Sequence, residues 1–554
     1  MSKIFNLILN ELIKQFKKVS TKVFLALILI FAVAMPWAIK SFESTENRFW
    51  IENHKNELSS VEGEISGITN PNSKEGKLIL TFRNIDKEVV KAKIDNNIEY
   101  NWRNEEIEQY RQLRYEEEAI KAVLNKANKK SLASAAYHLE PTKMDEIYSE
   151  TTEKLKKKLE KVSNEAKTKK DIVINNDYLR YTEAKIKGTE ETIKNNNKEI
   201  KENQKLLKKD PKNKGLQEAI LSLEANNELQ LKHMEIDKYR LNNKIPFDDK
   251  DYRHRTLDDI AMNVSTLNQK MVTEEEFLKN PQGYSHMGKT YEMYRENVIA
   301  EKERAKKDID LAWYSLNNNI PMEKFTTDSR TMTSQGFEIF VVISGILSII
   351  LAGSIVSSEF SKGTIRLLLI RPVSRFKVLT SKLAAVLLIG FSILTLSIGA
   401  YIVSTGFAYG FDAFSISSLE YVNGKVVEVG YFSYLIPKIL TSCVSILFVV
   451  SLSFMLSTVA KNTAVAVGLS SILYLGSMPI SMILGSLKAG FIAQYVLGYM
   501  NLSMFNIMPS FPIMMKEQYG VTLDPQTGVI QLLVLTGIFV VVSFVSFIKT
   551  DVKN

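Results

Sequence analysis

Cysteine is almost absent from this chain. The single thiol among 554 residues, Cys443, falls inside a long apolar run, so no intrachain disulfide can staple the molecule. Histidine is nearly as scarce. His54, His138, His233, His254 and His286 are scattered without metal-ligand spacing, which leaves no residue assigned as a metal ligand. The third lack is regional: the middle, residues 41–336, has none of the long uncharged apolar runs that mark both ends.

That middle does contain one nucleotide-binding pattern without its usual support. GYSHMGKT, Gly283 to Thr290, matches G-x-x-x-x-G-K-[ST] letter for letter. A P-loop needs a buried strand that delivers the turn to the phosphates. The preceding residues are MVTEEEFLKNPQ, with three glutamates in a row and Pro281, and Thr273 with Glu276 forms the signature of a capping box opening a short helix. The motif is therefore read as a coincidence in a loop before a helix. No catalytic residue is assigned to this chain.

The apolar runs set the class. Residues 23–39 (VFLALILIFAVAMPWAI) are uncharged and bracketed by Lys22 and Lys40, at the short limit for a bilayer-crossing helix. The segment 337–356 holds thirteen Ile, Val, Leu or Phe in twenty residues. At roughly 0.3 to 0.6 kcal/mol favourable for each, insertion outweighs Glu338 near one end. Further spans are expected near 383–407, 436–457, 464–485 and 529–548. The expected fold is all-α and polytopic, with six transmembrane helices and a large, mainly helical, coiled-coil-like extracellular domain between spans 1 and 2. Ala32-Val33-Ala34 resembles a leader cleavage site, but the apolar run continues past it to Ile39, and the segment is expected to stay attached.

Lysine and arginine placement gives an orientation. With the N-terminus inside, fourteen basic residues fall on cytoplasmic connections: Lys3, Lys14, Lys17, Lys18 and Lys22, six between Lys362 and Lys382, then Lys461, Lys549 and Lys553. The short outer connections hold four, at Lys425, Lys438, Lys488 and Lys516. Both termini are thus expected in the cytoplasm and residues 41–336 outside, where a P-loop would find little ATP. The chain carries a net charge of +9, yet residues 41–336 contain 52 basic and 53 acidic side chains, so the excess lies beside the spans. Its simplest partner is anionic membrane lipid, not nucleic acid.

Within the exported segment, Ile186, Ile193, Ile200 and Leu207 recur every seven residues. After DPKNKG, a less regular row follows at Leu216, Ile220, Leu223, Met234 and Leu241. Two antiparallel helices near 178–243 would bury these rows on each other, with arms on the order of 45 Å. Such arms read equally as a spacer or as a partner-binding surface. Tyr148, Leu155 and Val162 form a row expected on one earlier helix, another helix is expected from about 288 to 316, and the alternation in residues 76–95 suggests a β-hairpin. Residues 1–22 read as an interfacial amphipathic helix, with Ile4, Ile8, Leu12, Phe16 and Val19 on one face. Residues 491–515 are apolar but broken by Gly498, Pro509 and Pro512.

Between spans 2 and 3 lies SSEFSKGTIRLLLIRPVSRFKVLTSK, residues 357–382, too polar for membrane. A helix from Ser357 would project Glu359, Lys362 and Arg366 along one face. With its flanking spans this stretch resembles the permease subunits of ABC-2 type transporters, which carry E-F-x-x-G-T-I-R-x-L-L-x-x-P-V-S-R at this place. The matching residues are Glu359, Phe360, Gly363, Thr364, Ile365, Arg366, Leu368, Leu369, Pro372, Val373, Ser374 and Arg375. The resemblance covers residues 1–40 and about 330–554 and is not expected to reach the outer domain.

The resemblance implies an ATP-driven exporter whose fuel is consumed by a separate ABC ATPase dimer holding ATP and Mg, with no cofactor in this chain. Glu359, Gly363, Thr364, Arg366 and Arg375 would contact that ATPase, a second permease chain would complete the path, and residues 491–515 would form an outer re-entrant hairpin. Antimicrobial peptides and hydrophobic compounds are cargo classes compatible with such spans. Taken singly, Arg371, Arg375, Lys377 and Lys382 read equally as lipid head-group contacts. The alternative layout is a surface receptor or secretion scaffold of the phage-infection or type VII secretion type, which also has one span, a long helical exterior and then several spans.

Overall fold

A computed structural model describes residues 2–42, 47–98, 101–248, 250–285, 287–288, 290–365, 373–508 and 510–549. Six of its helices are long and apolar enough to cross a membrane: Val19–Phe42, Ser329–Ser361, Arg375–Tyr409, Tyr431–Val459, Thr463–Ser486 and Pro525–Lys549, hereafter spans 1 to 6. Each contains or overlaps an expected span. Span 2 is the most enclosed, with 61% of its apolar window buried against 17% for spans 1 and 6, so it forms the centre of the bundle. Phe337, Phe340 and Val341 of span 2, Val386, Ile389 and Ile393 of span 3, and Ile446, Val450 and Phe454 of span 4 share one core. Apolar side chains such as Ile530, Val534 and Val541 of span 6 remain exposed, as bilayer-facing positions must.

The chain divides into two compact units, one of residues 1–40 and 248–554 and one of Ser41–Phe247. The expected 41–336 domain is thus split, and its last third packs with the spans. There the helix Tyr291–Asn318 lies against a two-stranded antiparallel hairpin, Ser418–Val422 with Lys425–Val429, that joins spans 3 and 4. The Tyr421 hydroxyl donates to Asp310 at 3.0 Å and the Tyr314 hydroxyl to Glu428 at 2.9 Å. Asn423 and Gly424, with φ of 50° and 79°, make the tight turn of this hairpin. Both central residues of a two-residue turn of this hand need positive φ, and Asn-Gly supplies it at little steric cost.

Residues 76–95 do not form the expected hairpin. They lie in one helix, Lys74–Asp95, capped by the Ser73 hydroxyl, which accepts from the Gly76 N–H at 2.9 Å. Phe82, Ile85 and Val89 fall three and four residues apart and are buried, a helical spacing that the local alternation concealed. RNIDKE at its middle has Asn84 and Asp86 but no glycine for a tight two-residue hairpin turn, so the helical burial of Phe82, Ile85 and Val89 prevails. Tyr148 likewise sits apart from its expected row, on Pro141–Ser149, whereas Leu155 and Val162 are buried along Thr152–Ile174.

The heptad arms appear as Tyr178–Lys209 and Lys214–Asn242, packed on each other. Ile186, Ile200, Ile220 and Met234 are buried between them. Midway, the Asn196 amide donates to Asn227 at 2.9 Å, and Asn227 donates to Asn197 at 3.1 Å. A polar layer across an otherwise apolar seam costs stability but fixes the register of the two helices. At the base of the arms Trp102 stacks on Tyr181, with ring centroids 4.9 Å apart, and meets Tyr178 at 5.3 Å.

Candidate functional site

The stretch that ends span 2 is held from several directions. The span breaks at Val356, and Ser357 follows with both its backbone and its hydroxyl engaged. Its N–H donates to the Ser457 hydroxyl at 2.9 Å, and its hydroxyl lies 2.6 Å from that of Thr463 and donates to the Gly353 carbonyl at 2.6 Å. These contacts fasten the segment to the end of span 4 and the start of span 5. A methyl group at Gly353 would meet a Val467 methyl at 2.6 Å, so the close approach of spans 2 and 5 depends on this glycine.

The helix Ser357–Ser361 is a single short turn, and Gly363, with φ of +69°, ends it. The expected helix from Ser357 is therefore interrupted at residues 362–364, and Glu359 and Lys362 do not share one exposed face. Lys362 is exposed, Glu359 is buried, and Arg366 lies outside the described residues, as do Arg371 and Pro372. Glu359 points into the protein. Its carboxylate accepts from Lys14 and from the Thr364 hydroxyl, and Lys382 approaches it at 3.4 Å. Lys382, only 1% exposed, also reaches Glu11 at 2.9 Å. Two carboxylates and two ammonium groups from three elements thus neutralise one another where water is scarce.

Lys14 and Glu11 belong to the helix Ser2–Phe16, which packs against span 3. Ile4, Ile8 and Leu12 are partly covered, whereas Phe16 and Val19 are exposed, so the expected single apolar stripe is divided. Val19 already belongs to span 1. Phe5, Leu9 and Ile13 form a second, exposed apolar face, as suits a helix lying at a membrane boundary.

Beyond the undescribed residues 366–372, Ser374 caps span 3 by accepting from the Lys377 N–H at 3.4 Å. Arg375 donates to the Ile548 carbonyl at 2.9 Å, at the end of span 6. A cation there complements the unsatisfied carbonyls of a helix C-terminus. Lys461, between spans 4 and 5, sits 5.1 Å from the Phe360 ring centroid. Helix Ser2–Phe16, the 357–382 segment, the connection of spans 4 and 5 and the end of span 6 therefore converge. Of the carried-over residues, Glu359, Gly363 and Thr364 lie together, and Arg375 is fastened to span 6.

A second polar point lies nearer the opposite end of span 2. Glu338 is 1% exposed, and its carboxylate accepts from Ser442 of span 4 at 2.8 Å and from Asn506. Asn506 belongs to the broken region expected to be re-entrant, which consists of short helices Phe491–Tyr495, Leu497–Tyr499, Ser503–Ile507 and Ser510–Tyr519. Ser445 accepts from the Leu502 N–H at 2.7 Å, and Tyr499, Phe505 and Phe511 are buried, so the middle of this irregular stretch is covered by protein, whereas Phe491, Tyr495, Ile507 and Met508 are exposed. Sequence reasoning treated Glu338 only as an insertion cost. An acidic residue inside an apolar span was itself the available signal.

GYSHMGKT follows the helix Glu274–Lys279, whose capping box at Thr273 and Glu276 is present, and Thr290 caps the helix Tyr291–Asn318. His286 and Lys289 lie outside the described residues. A helix thus stands where a P-loop requires a strand.

Comparison with known proteins agrees with this architecture. The ABC-2 family transporter protein family matches residues 145–552. That match reaches well into the segment between spans 1 and 2, which corrects the expectation that the resemblance stops outside it. The chain is 32% identical over 267 residues to an uncharacterized protein of Bacillus subtilis (strain 168), YhcI, covering 46% of this chain and 78% of that protein. It is 34% identical over 131 residues to the uncharacterized membrane protein YdbK of the same organism, 24% of this chain and 49% of that protein. No solved structure matches the chain. Six apolar helices and a family match over most of the length make this a multi-pass membrane protein that belongs to the ABC-2 family of transporter proteins, as a membrane component and not a catalytic subunit.

Proposed function

We propose that this chain is the permease half of an ATP-driven exporter, and that a separate ABC ATPase dimer, holding ATP and Mg, docks on the segment 357–382. The supporting observation is the convergence just described, in which one short segment is fastened to spans 2, 3, 4, 5 and 6 and to the N-terminal helix. A push on such a segment is shared among all the spans it holds. Because the ATPase would bind ATP with different affinity in inward- and outward-open states, nucleotide binding would shift the population between them.

In this reading Gly363, Thr364 and Arg366 face the ATPase, and Arg375 stands beside them while holding span 6. Glu359 acts from behind the surface, positioning Thr364 and linking it to Lys14 and Lys382. A second permease chain, identical or a sister, completes the path. Glu338 fastens the re-entrant region to spans 2 and 4, so that movement of span 2 reaches it directly. Cargo of a hydrophobic or peptide class suits the apolar spans. In vesicles, ATP should be consumed only when the co-purifying ATPase is added. Vigorous ATP-driven export by the permease alone would overturn the division of labour.

The sidedness is part of the proposal: the concentration of lysine and arginine at the converging end favours placing it in the cytoplasm, with the arms of residues 178–242 outside. Trypsin added to intact cells should cut these lysine-rich arms. Full protection, lost only on permeabilisation, would reverse the orientation.

A further inference from the structure

Helix Ser2–Phe16 and span 1 meet at Lys17 and Lys18, and beside that junction lies a cavity of about 100 Å³. Its lining is two-faced. Lys18, Ser20, Thr21 and Ser354 give it a polar side, while Leu351 of span 2 and Ile393 of span 3 give it an apolar one. The surroundings carry an excess of positive charge. Lys14, Lys18, Lys362 and Lys382 are set against Glu11 and Glu359, and both carboxylates are already engaged by Lys14 and Lys382. Lys18 has no ion-pair partner among the described residues, and partial burial with the neighbouring Lys14 and Lys362 holds its ammonium below the usual lysine range. An added anion would relieve that repulsion.

The setting also selects the kind of anion. Phe5, Leu9, Ile13 and Val19, between 45% and 74% exposed, mark the level at which this junction meets lipid. A soluble anion would have no use for the Leu351 and Ile393 wall. We propose that the cavity binds one anionic phospholipid, its phosphate paired with Lys18 and hydrogen-bonded by Ser20 and Thr21, and the start of one acyl chain laid against Leu351 and Ile393. The volume accommodates only that part of the molecule, and the remaining chain runs along spans 1 and 2 in the bilayer. Such a lipid would brace the N-terminal helix that carries Glu11 and Lys14. The inference needs only that the spans are in a membrane and does not rest on the docking of an ATPase.

The test uses the full chain in detergent, supplied with equal phosphatidylglycerol and phosphatidylcholine and read by native mass spectrometry. Wild type should retain one phosphatidylglycerol in preference to phosphatidylcholine. Lys18→Gln, at a side chain that makes no ion pair among the described residues, should lower that retention about fivefold, the equivalent of roughly 1 kcal/mol for one lysine at a lipid surface. Leu351→Trp, which fills the apolar wall without changing charge, should lower it as well, whereas Lys377→Gln should not. Equal retention of the two lipids by wild type, unchanged retention in Lys18→Gln or Leu351→Trp, or an equal loss in Lys377→Gln would each overturn the site.

Discussion

Replacing Glu359 with alanine is expected to destabilise the membrane unit by about 3 kcal/mol, because it strips the shared counter-ion from a desolvated charge cluster. The cost arises mainly at Lys382, which is 1% exposed and keeps only Glu11. Lys14, with just over half of its side chain exposed, can turn to water, so Lys14→Ala should cost under about 1 kcal/mol. This asymmetry separates the cluster from a generic surface pair. Removing Lys382 together with Glu359 should cost less than the sum of the two single changes, since neither of these two most buried charges is then left without the other, and the charges that remain, Glu11 and Lys14, are the more exposed ones. Thermal unfolding in detergent checks the set. An unchanged midpoint in Glu359→Ala would mean that the carboxylate is not buried among cations. Transport should fall with stability, because the same cluster links the N-terminal helix to spans 2 and 3.

The second large effect is steric. A methyl group at Gly336 would stand 2.0 Å from the Tyr401 hydroxyl and 2.5 Å from its ring carbon. Tyr401 cannot withdraw easily, for its ring is fully buried and its hydroxyl donates to the Met332 carbonyl at 2.8 Å. Gly336→Ala should therefore separate spans 2 and 3 locally and cost about 3 kcal/mol, at the upper end for overpacking. Tyr401→Ala alone should cost about 3 to 5 kcal/mol through the cavity it leaves. In combination the new methyl enters that cavity, so the double variant should be no less stable than Tyr401→Ala. Additive losses would contradict the contact. Both effects concern span 2, the most enclosed helix, where misplacement is transmitted to the largest number of neighbours.

How far these features could be read in advance depended on their range. The spans were legible because twenty consecutive apolar residues leave few alternatives, and the capping box at Thr273 because its partners are three residues apart. The heptad arms were legible for the same local reason. Residues 76–95 are ambiguous in sequence because Leu78, Phe82, Ile85 and Val89 fit a helix as well as their neighbours fit an alternating strand. The local signal of the actual hairpin is Asn423-Gly424 between the short strands SLEYV and KVVEV. The inward turn of Glu359 was not legible, since the residues that draw it there, Lys14 and Lys382, are distant in sequence. Gly336 and Gly353 could not be interpreted at all without Tyr401 and Val467 beside them. Long-range partners, more than local pattern, decide what the candidate site does.

The central claim, that an ATPase engages the segment between spans 2 and 3, is tested most directly by photo-crosslinking in native membranes. A photoreactive amino acid replacing exposed Lys362 should capture an ABC ATPase subunit, identified by mass spectrometry, whereas the same group replacing Gly424 in the turn between spans 3 and 4 should not. Absence of an ATPase at Lys362, or equal capture at both positions, would contradict the account.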